Sequence, residues 1–314
     1  MTQSTSTPRF RTFAWITLAV TLVVILWGAY VRASGSGAGC GSHWPTCNGE
    51  VVPHSKSAAT LIEFAHRITS GLSGLFVLVQ VIWAFVALPR RHPARAGAAA
   101  SMFFMITEGA VGAGLVLLEH VALDRSVARA GWTSLHLTNT FFLVAALTCT
   151  AFWASSPVRP RIVGQGAGGV LLGLGALGLV LTGVSGAVTA LGDTLFTAPS
   201  LARGIADDFS PTAHFLQQLR VVHPIVAVLT AVFLLYARSA IVQGRGADAA
   251  HYGRLLAGLL VTQLLLGVVN FALQAPAPLQ IVHLLVADLV WVVFVLLGAA
   301  ALGARREEDA AGPA

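Results

Sequence analysis

Charge is what this sequence has least of: only 10% of its 314 residues are charged, against 56% hydrophobic, and the mean hydropathy is +0.78. A soluble domain carries about a quarter of its residues as charges, because its surface must face water. This chain lacks the polar surface to cover a globule, so insertion in a bilayer is the economical reading. Cysteine is scarce too. There are three, and the pair-of-pairs spacing of a structural zinc site is missing. Also missing is any polar stretch long enough for a soluble catalytic domain, since the longest loops between apolar runs cover 34–60 and 191–213. Any chemistry therefore happens within the membrane.

What the chain has is long apolar runs. About 20 such residues cross a hydrocarbon core of ~30 Å. Eight runs qualify: 13–33, 61–88, 99–119, 132–155, 166–190, 214–237, 253–273 and 280–303. The first is too long for a cleaved signal peptide and leads into Tyr30-Val31-Arg32 instead of a small-residue cleavage site, so it is expected to be retained. The net charge of +6 is unevenly spread. With the N-terminus inside, the cytoplasmic segments hold Arg9, Arg11, Arg90, Arg91, Arg95, Arg159, Arg161, Arg238, Arg245, Arg254, Arg305 and Arg306. The outer loops hold only Lys56, Arg125, Arg129 and Arg203. This positive-inside bias puts both termini in the cytoplasm of a multi-pass cell-membrane protein, with lipid and not nucleic acid as the surrounding partner.

The spans repeat. Gly28-Ala29-Tyr30-Val31 near the end of span one matches Gly186-Ala187-Val188-Thr189 in span five. Thr107-Glu108 with Gly112 in span three matches Thr262-Gln263 with Gly267 in span seven, at the same interval. Trp132 through His136 opens span four as Leu279 through His283 opens span eight. The expected fold is all-α: eight transmembrane helices as two parallel pseudo-repeated four-helix bundles, 1–160 and 161–314. A site built in one half should recur in the other at the same depth.

Ionisable residues within spans are costly and face the bundle interior or a cavity. His66, His136, His223 and His283 all sit on even-numbered spans within about nine residues of an outer end, or ~15 Å of that surface. Two imidazoles at equal depth on neighbouring helices can take both axial positions of a haem iron. The pairs are then His66 with His136 and His223 with His283. A buried histidine satisfied by a carbonyl is the bland alternative for any one of them, but four at equivalent positions weaken it. Copper or zinc would need further ligands nearby. The other histidines, His43, His54, His92, His120, His214 and His251, lie in loops or at span ends and read as solvated.

Glu63 breaks the symmetry, standing three residues before His66, where the second half has Arg220 before His223. A carboxyl beside one site alone suits proton chemistry there and electron transfer at the other. An ion pair with Arg67 or Arg32 is the alternative. Arg32, Arg67 and Arg220 near the outer span ends can pair with haem propionates or snorkel to headgroups. Cys40 and Cys47 share the outer loop 34–60, where thiols oxidise and a short-loop disulfide is favoured over free thiols or a zinc site with His43. Cys149, within span four, reads as a small buried hydrophobe, and Glu108, Gln263, Asn270 and Asp288 as polar groups lining a cavity.

These residues resemble the haem A synthase family, of the type with a cysteine pair in the first outer loop. The resemblance rests on Val31-Arg32-Ala33-Ser34-Gly35-Ser36-Gly37, on Cys40 and Cys47 with six residues between, on Glu63-Phe64-Ala65-His66-Arg67, and on the placing of His136, His223 and His283. It implies a two-step oxidation of the haem O methyl group to the formyl group of haem A, with water as the oxygen source, for terminal oxidase assembly. It also implies substrate haem O between His66 and His136, haem b iron on His223 and His283, Glu63 as the catalytic carboxylate and a Cys40–Cys47 disulfide over the substrate site. A haem O synthase and an electron acceptor are the implied partners. Two other readings compete. A quinol-linked di-haem cytochrome b explains the histidines but leaves Glu63 and the cysteine loop idle. A haem transporter predicts broken helices with mid-span Gly/Pro pairs, and Pro224 alone does not supply that signal.

Overall fold

The structure is a computed structural model that describes residues 6–303 except 56, 157, 159 and 162. Lys56, Arg159, Arg305 and Arg306, counted in the charge distribution above, lie outside the described residues, as does the acidic tail. Among the described residues there are helices and no strands. In chain order they are α1 (Ser6–Ala33), α2 (Ala58–Ala87), α3 (Pro93–Leu117), α4 (Val127–Ser155), α5 (Gly166–Leu195), α6 (Leu201–Asp208), α7 (Phe215–Gln218), α8 (Val222–Val242), α9 (Ala247–Ala272) and α10 (Ala277–Gly303). Eight spans are long and apolar enough to cross a membrane, as the hydropathy pattern predicts.

The helices outrun the apolar runs. α3 and α9 begin at Pro93 and Ala247, ahead of the hydrophobic starts at 99 and 253, because helical hydrogen bonding continues after the side chains turn polar. Caps mark these ends. Ser57 and Ser126 accept from the backbone N–H of Thr60 and Arg129 at 3.1 Å each, and His92 precedes Pro93 at the start of α3. Span six is not one helix. α7, a 3₁₀ turn over Leu219–Val221 and α8 follow one another, since Pro224 has no N–H to offer the carbonyl of Arg220. The short helix α6 in the 191–213 loop was not read from the hydropathy. It is polar, capped by Ser200 and braced by an Arg203–Asp207 pair at 2.9 Å.

Helices α1, α2, α3 and α4 pack in a closed ring, each against the next and α4 back onto α1. Helices α5, α8, α9 and α10 do the same. The rings meet where α4 packs on α5 and α10, and where α1 touches α10. The main core lies along that seam, with Leu143, Leu147, Val290, Phe294 and Leu297 buried together. Trp291 donates to the Phe141 carbonyl at 2.8 Å and packs its ring on Phe141 at 4.8 Å, tying α10 to α4. Outward-facing Val86, Val232, Tyr236 and Val268 stay exposed, as expected of a protein whose outer solvent is lipid.

Candidate haem-binding sites

All four expected histidines lie near the end at which the even-numbered spans begin: His66, His136 and His283 about 9–14 Å along α2, α4 and α10 at 1.5 Å per residue, and His223 at the second residue of α8, beyond α7 and the 3₁₀ turn. Within each ring the two histidines stand on diagonal helices, α2 and α4 in the first, α8 and α10 in the second. His66 and His136 are within electrostatic range of one another. His223 and His283 have ring centres 6.5 Å apart and planes at 89°. Imidazoles on opposite sides of one metal, each bonded at about 2 Å, have ring centres roughly 6 Å apart.

Each histidine rests against a glycine of an odd-numbered neighbour. A Cβ placed on Gly28 would lie 2.9 Å from His66 Cε1, and one on Gly186 would lie 2.9 Å from His223 Cε1. The same construction on Gly112 and Gly267 comes to 3.7 Å and 3.4 Å from His136 and His283. The glycine matches at the ends of spans one and five, visible in the sequence only as a repeat, thus let the imidazoles close on the helix backbone. Gly28→Ala is expected to push His66 aside and release haem from the detergent-extracted protein, measured as haem per polypeptide. Gly71→Ala on α2, where a Cβ meets nothing within 4 Å, should leave that ratio unchanged.

The ring nitrogens show what the sites need. His223 Nδ1 is 3.2 Å from the Thr182 carbonyl and 3.2 Å from Ser185 Oγ. A carbonyl only accepts, so Nδ1 carries the proton and Nε2 is the bare nitrogen, the arrangement typical of a metal-ligating histidine. The buried Nδ1 atoms of His66, His136 and His283 have no hydrogen-bond partner among the described residues. Two imidazoles per ring, seated on the glycine cradles, fit a haem in each ring. Among the described residues no cluster of three or more His, Cys, Asp or Glu could hold a bare metal ion.

Glu63 is buried and held from two sides. Arg67 donates to its Oε1 from Nη2 at 2.5 Å and from Nε at 3.2 Å, while the backbone N–H of Cys40 donates to Oε2 at 2.9 Å. Arg67 also donates to the carbonyls of His43 and Thr46, both at 2.6 Å. The pair therefore staples the cysteine loop over the first ring. That loop is closed by the Cys40–Cys47 disulfide, both cysteines buried. Gly39 lets it sit directly on α2, since a Cβ there would be 2.4 Å from the Ala59 backbone.

The arginines flank the sites but already serve the protein. Arg32 does not pair with Glu63. It crosses to the second ring and donates to the Ala190 carbonyl, Thr194 Oγ1 and Gln280 Oε1 at 2.7, 2.8 and 2.9 Å. Arg220 holds the other long loop through the Phe196 carbonyl at 2.8 Å and through Asp193 and Asp208 at 3.5 and 3.6 Å. Burial pushes the Asp208 carboxyl above the usual carboxylate range, against the pull of Arg220.

Of the remaining histidines, His92 and His214 cap helices, while His54 and His120 pair with Glu50 and Asp124. Two contacts escaped the sequence reading altogether. Glu108 Oε1 lies 3.4 Å from His136 Nδ1, and Gln263 Nε2 lies 3.2 Å from His283 Nε2. Both residues belong to the Thr-Glu/Thr-Gln match of spans three and seven, but that match says nothing of which way they face.

Residues 11–295 match the cytochrome oxidase assembly protein family. The chain belongs to that family. Its relatives named Heme A synthase include those of Alkalihalophilus pseudofirmus, 41% identical over 109 residues (35% of this chain, 37% of that one), and of Halalkalibacterium halodurans, 34% over 155 residues (49% and 50%). The resemblance to haem A synthases therefore stands, with the disulfide that marks the cysteine-pair type. A Thermus thermophilus protein named Protoheme IX farnesyltransferase is 49% identical over 303 residues, which is 96% of this chain but 50% of that protein. The chain thus spans about half the length of the relative with that name.

Proposed function

We propose that this protein is a haem A synthase, oxidising the methyl group of haem O to the formyl group of haem A for terminal oxidase assembly. The observation that carries this reading is the inequality of two similar rings. Each has a diagonal histidine pair against glycines, but among the described residues the disulfide-closed loop, with a buried carboxyl, Glu63, clasped beneath it, belongs to the first. In this reading 1–160 is the substrate half, with haem O between His66 and His136. The half 161–314 holds haem b on His223 and His283, and the two arose by duplication. Haem b supplies one-electron transfer when bound.

The overall change converts a methyl group and one water to a formyl group with release of four protons and four electrons. Glu63 is the group that takes protons, and its hydrogen bonds from Cys40 and Arg67 fix it beneath the loop that keeps bulk water out. Electrons leave through the second half to a separate acceptor. Remaining N–H groups of Arg32, Arg67 and Arg220 serve the propionates. In this reading the histidine ends of the spans lie at the outer face of the cell membrane and both termini are cytoplasmic, which the arginine distribution supports.

The farnesyltransferase name belongs to a protein of twice the matched length, and the matched half is the part related to Heme A synthases. A haem O synthase is accordingly the natural supplier of substrate, as a partner. A di-haem electron carrier or a haem transporter would use the histidines without chemistry on haem. To decide, the chain is co-expressed with a haem O source in cells lacking haem A, and the extracted pigments are analysed. Haem A, or its hydroxymethyl precursor, is expected. Haem O alone on a folded, haem-loaded protein would sink the assignment.

A further inference from the structure

We propose that Glu108 is a positioning residue for His136, whose carboxylate biases haem in the first ring toward the oxidised state, while Gln263 leaves the second unbiased. The proposal rests on the haem-ligand reading of the histidine pairs.

Glu108 Oε1 is 3.4 Å from His136 Nδ1, a buried nitrogen with no hydrogen-bond partner. The carboxylate is built in, not incidental. Thr140 Oγ1 donates to Oε1 at 2.5 Å and Asn139 Nδ2 to Oε2 at 2.5 Å. Asn139 is itself fixed by the Phe104 carbonyl at 2.9 Å and by Thr107 Oγ1 at 2.6 Å. Two donors thus aim an acceptor at the imidazole. In the second ring the matching residue is the neutral Gln263, whose Nε2 lies 3.2 Å from the other ring nitrogen, His283 Nε2, so that His283 Nδ1 faces no acceptor. The residues three and four past His283 are Val286 and Ala287, which cannot hold a carboxylate as Asn139 and Thr140 do. The difference is therefore a whole cluster and not one substitution.

A carboxylate accepting the second N–H of a ligating histidine increases the ring's basicity and adds negative charge near the iron. Both effects favour the oxidised metal, because axial-ligand character and hydrogen bonding set haem potentials. A primary amide does neither. Electrons removed at the first ring would then run downhill to the second.

The test is spectroelectrochemical titration of the purified full chain saturated with haemin. Two waves are expected, and His136→Ala should abolish one of them. If it abolishes neither, the ligand reading fails before Glu108 is in question. Glu108→Gln should shift the His136-dependent wave toward easier reduction by at least tenfold in the reduced-to-oxidised ratio, about 59 mV for a one-electron couple. Glu108→Asp should recover part of the shift. A residue that merely braces α3 on α4 would lower haem retention or thermal stability without moving either wave. A change below twofold in Glu108→Gln overturns the proposal. If Glu108→Gln loses its haem, Glu108→Asp decides: its shorter side chain should shift the same wave in the same direction by less, and an unmoved wave overturns the proposal.

Discussion

Glu63→Gln is expected to retain haem in both rings while conversion of haem O falls on the order of 100-fold, the scale at which a positioned acid–base group contributes. Glutamine is the informative variant because its amide oxygen can still accept the Cys40 N–H that now donates to Oε2 at 2.9 Å. The loop keeps that bond while the proton acceptor is lost, although the amide NH2 then faces the Arg67 donors in place of Oε1, so loop retention is checked by thermal stability alongside turnover. Glu63→Ala asks a harsher question. It removes the Cys40 acceptor as well and leaves a cavity beside the Arg67 guanidinium, whose side chain is only 12% exposed, and removing one partner of a buried pair costs about 3–5 kcal/mol. Alanine should thus lower thermal stability as well as turnover. Near-normal turnover in the glutamine variant, measured as haem A and hydroxymethyl haem per bound haem, would remove Glu63 from the chemistry and leave it a staple for the cysteine loop.

His223→Ala should cost the protein one haem, seen as the loss of about half the bound haem and of one low-spin signal. The reason lies in how this imidazole is held. Thr182 and Ser185 fix the Nδ1 side, Gly186 closes on the ring edge, and His283 stands 6.5 Å away. No other histidine of the second ring is placed to replace it, since His214 caps α7 and stacks on Phe196 at 4.9 Å. The first-ring haem should survive, because His66 and His136 belong to different helices. An unchanged low-spin spectrum would disprove the ligand assignment. Loss of both haems together would mean that the rings do not bind independently.

The histidines were legible in the sequence because an ionisable residue in an apolar run stands out against its background. The nearness of His66, His136 and His283 to the starts of their helices was legible because helix rise is constant. The partners were not. Arg32 looked like a neighbour of Glu63, since both lie near the outer ends of adjacent spans, yet it reaches across the seam to Ala190, Thr194 and Gln280. Glu108 gave no sign of its role, although it sits in a repeated dipeptide. Gly28 and Gly186 were read as markers of duplication when they are the surfaces on which the histidines rest.

Sequence alone determined the eight spans, the all-helical class, the cysteine-bearing loop between the first two spans and the position of His66, His136, His223 and His283 near the starts of the even-numbered spans. All of these follow from local quantities: transfer of apolar side chains into lipid, rise per residue, and the cost of burying charge. Tertiary structure alone decided that the histidines pair across diagonals, that Glu63 is clasped by Cys40 and Arg67, and that a carboxylate meets His136 where an amide meets His283. Those contacts depend on the rotation of each helix about its axis. In a lipid-facing bundle, with apolar residues on every side, the hydropathy pattern carries almost no information about that rotation. Packing of small residues against rings and the hydrogen bonds between helices set it instead.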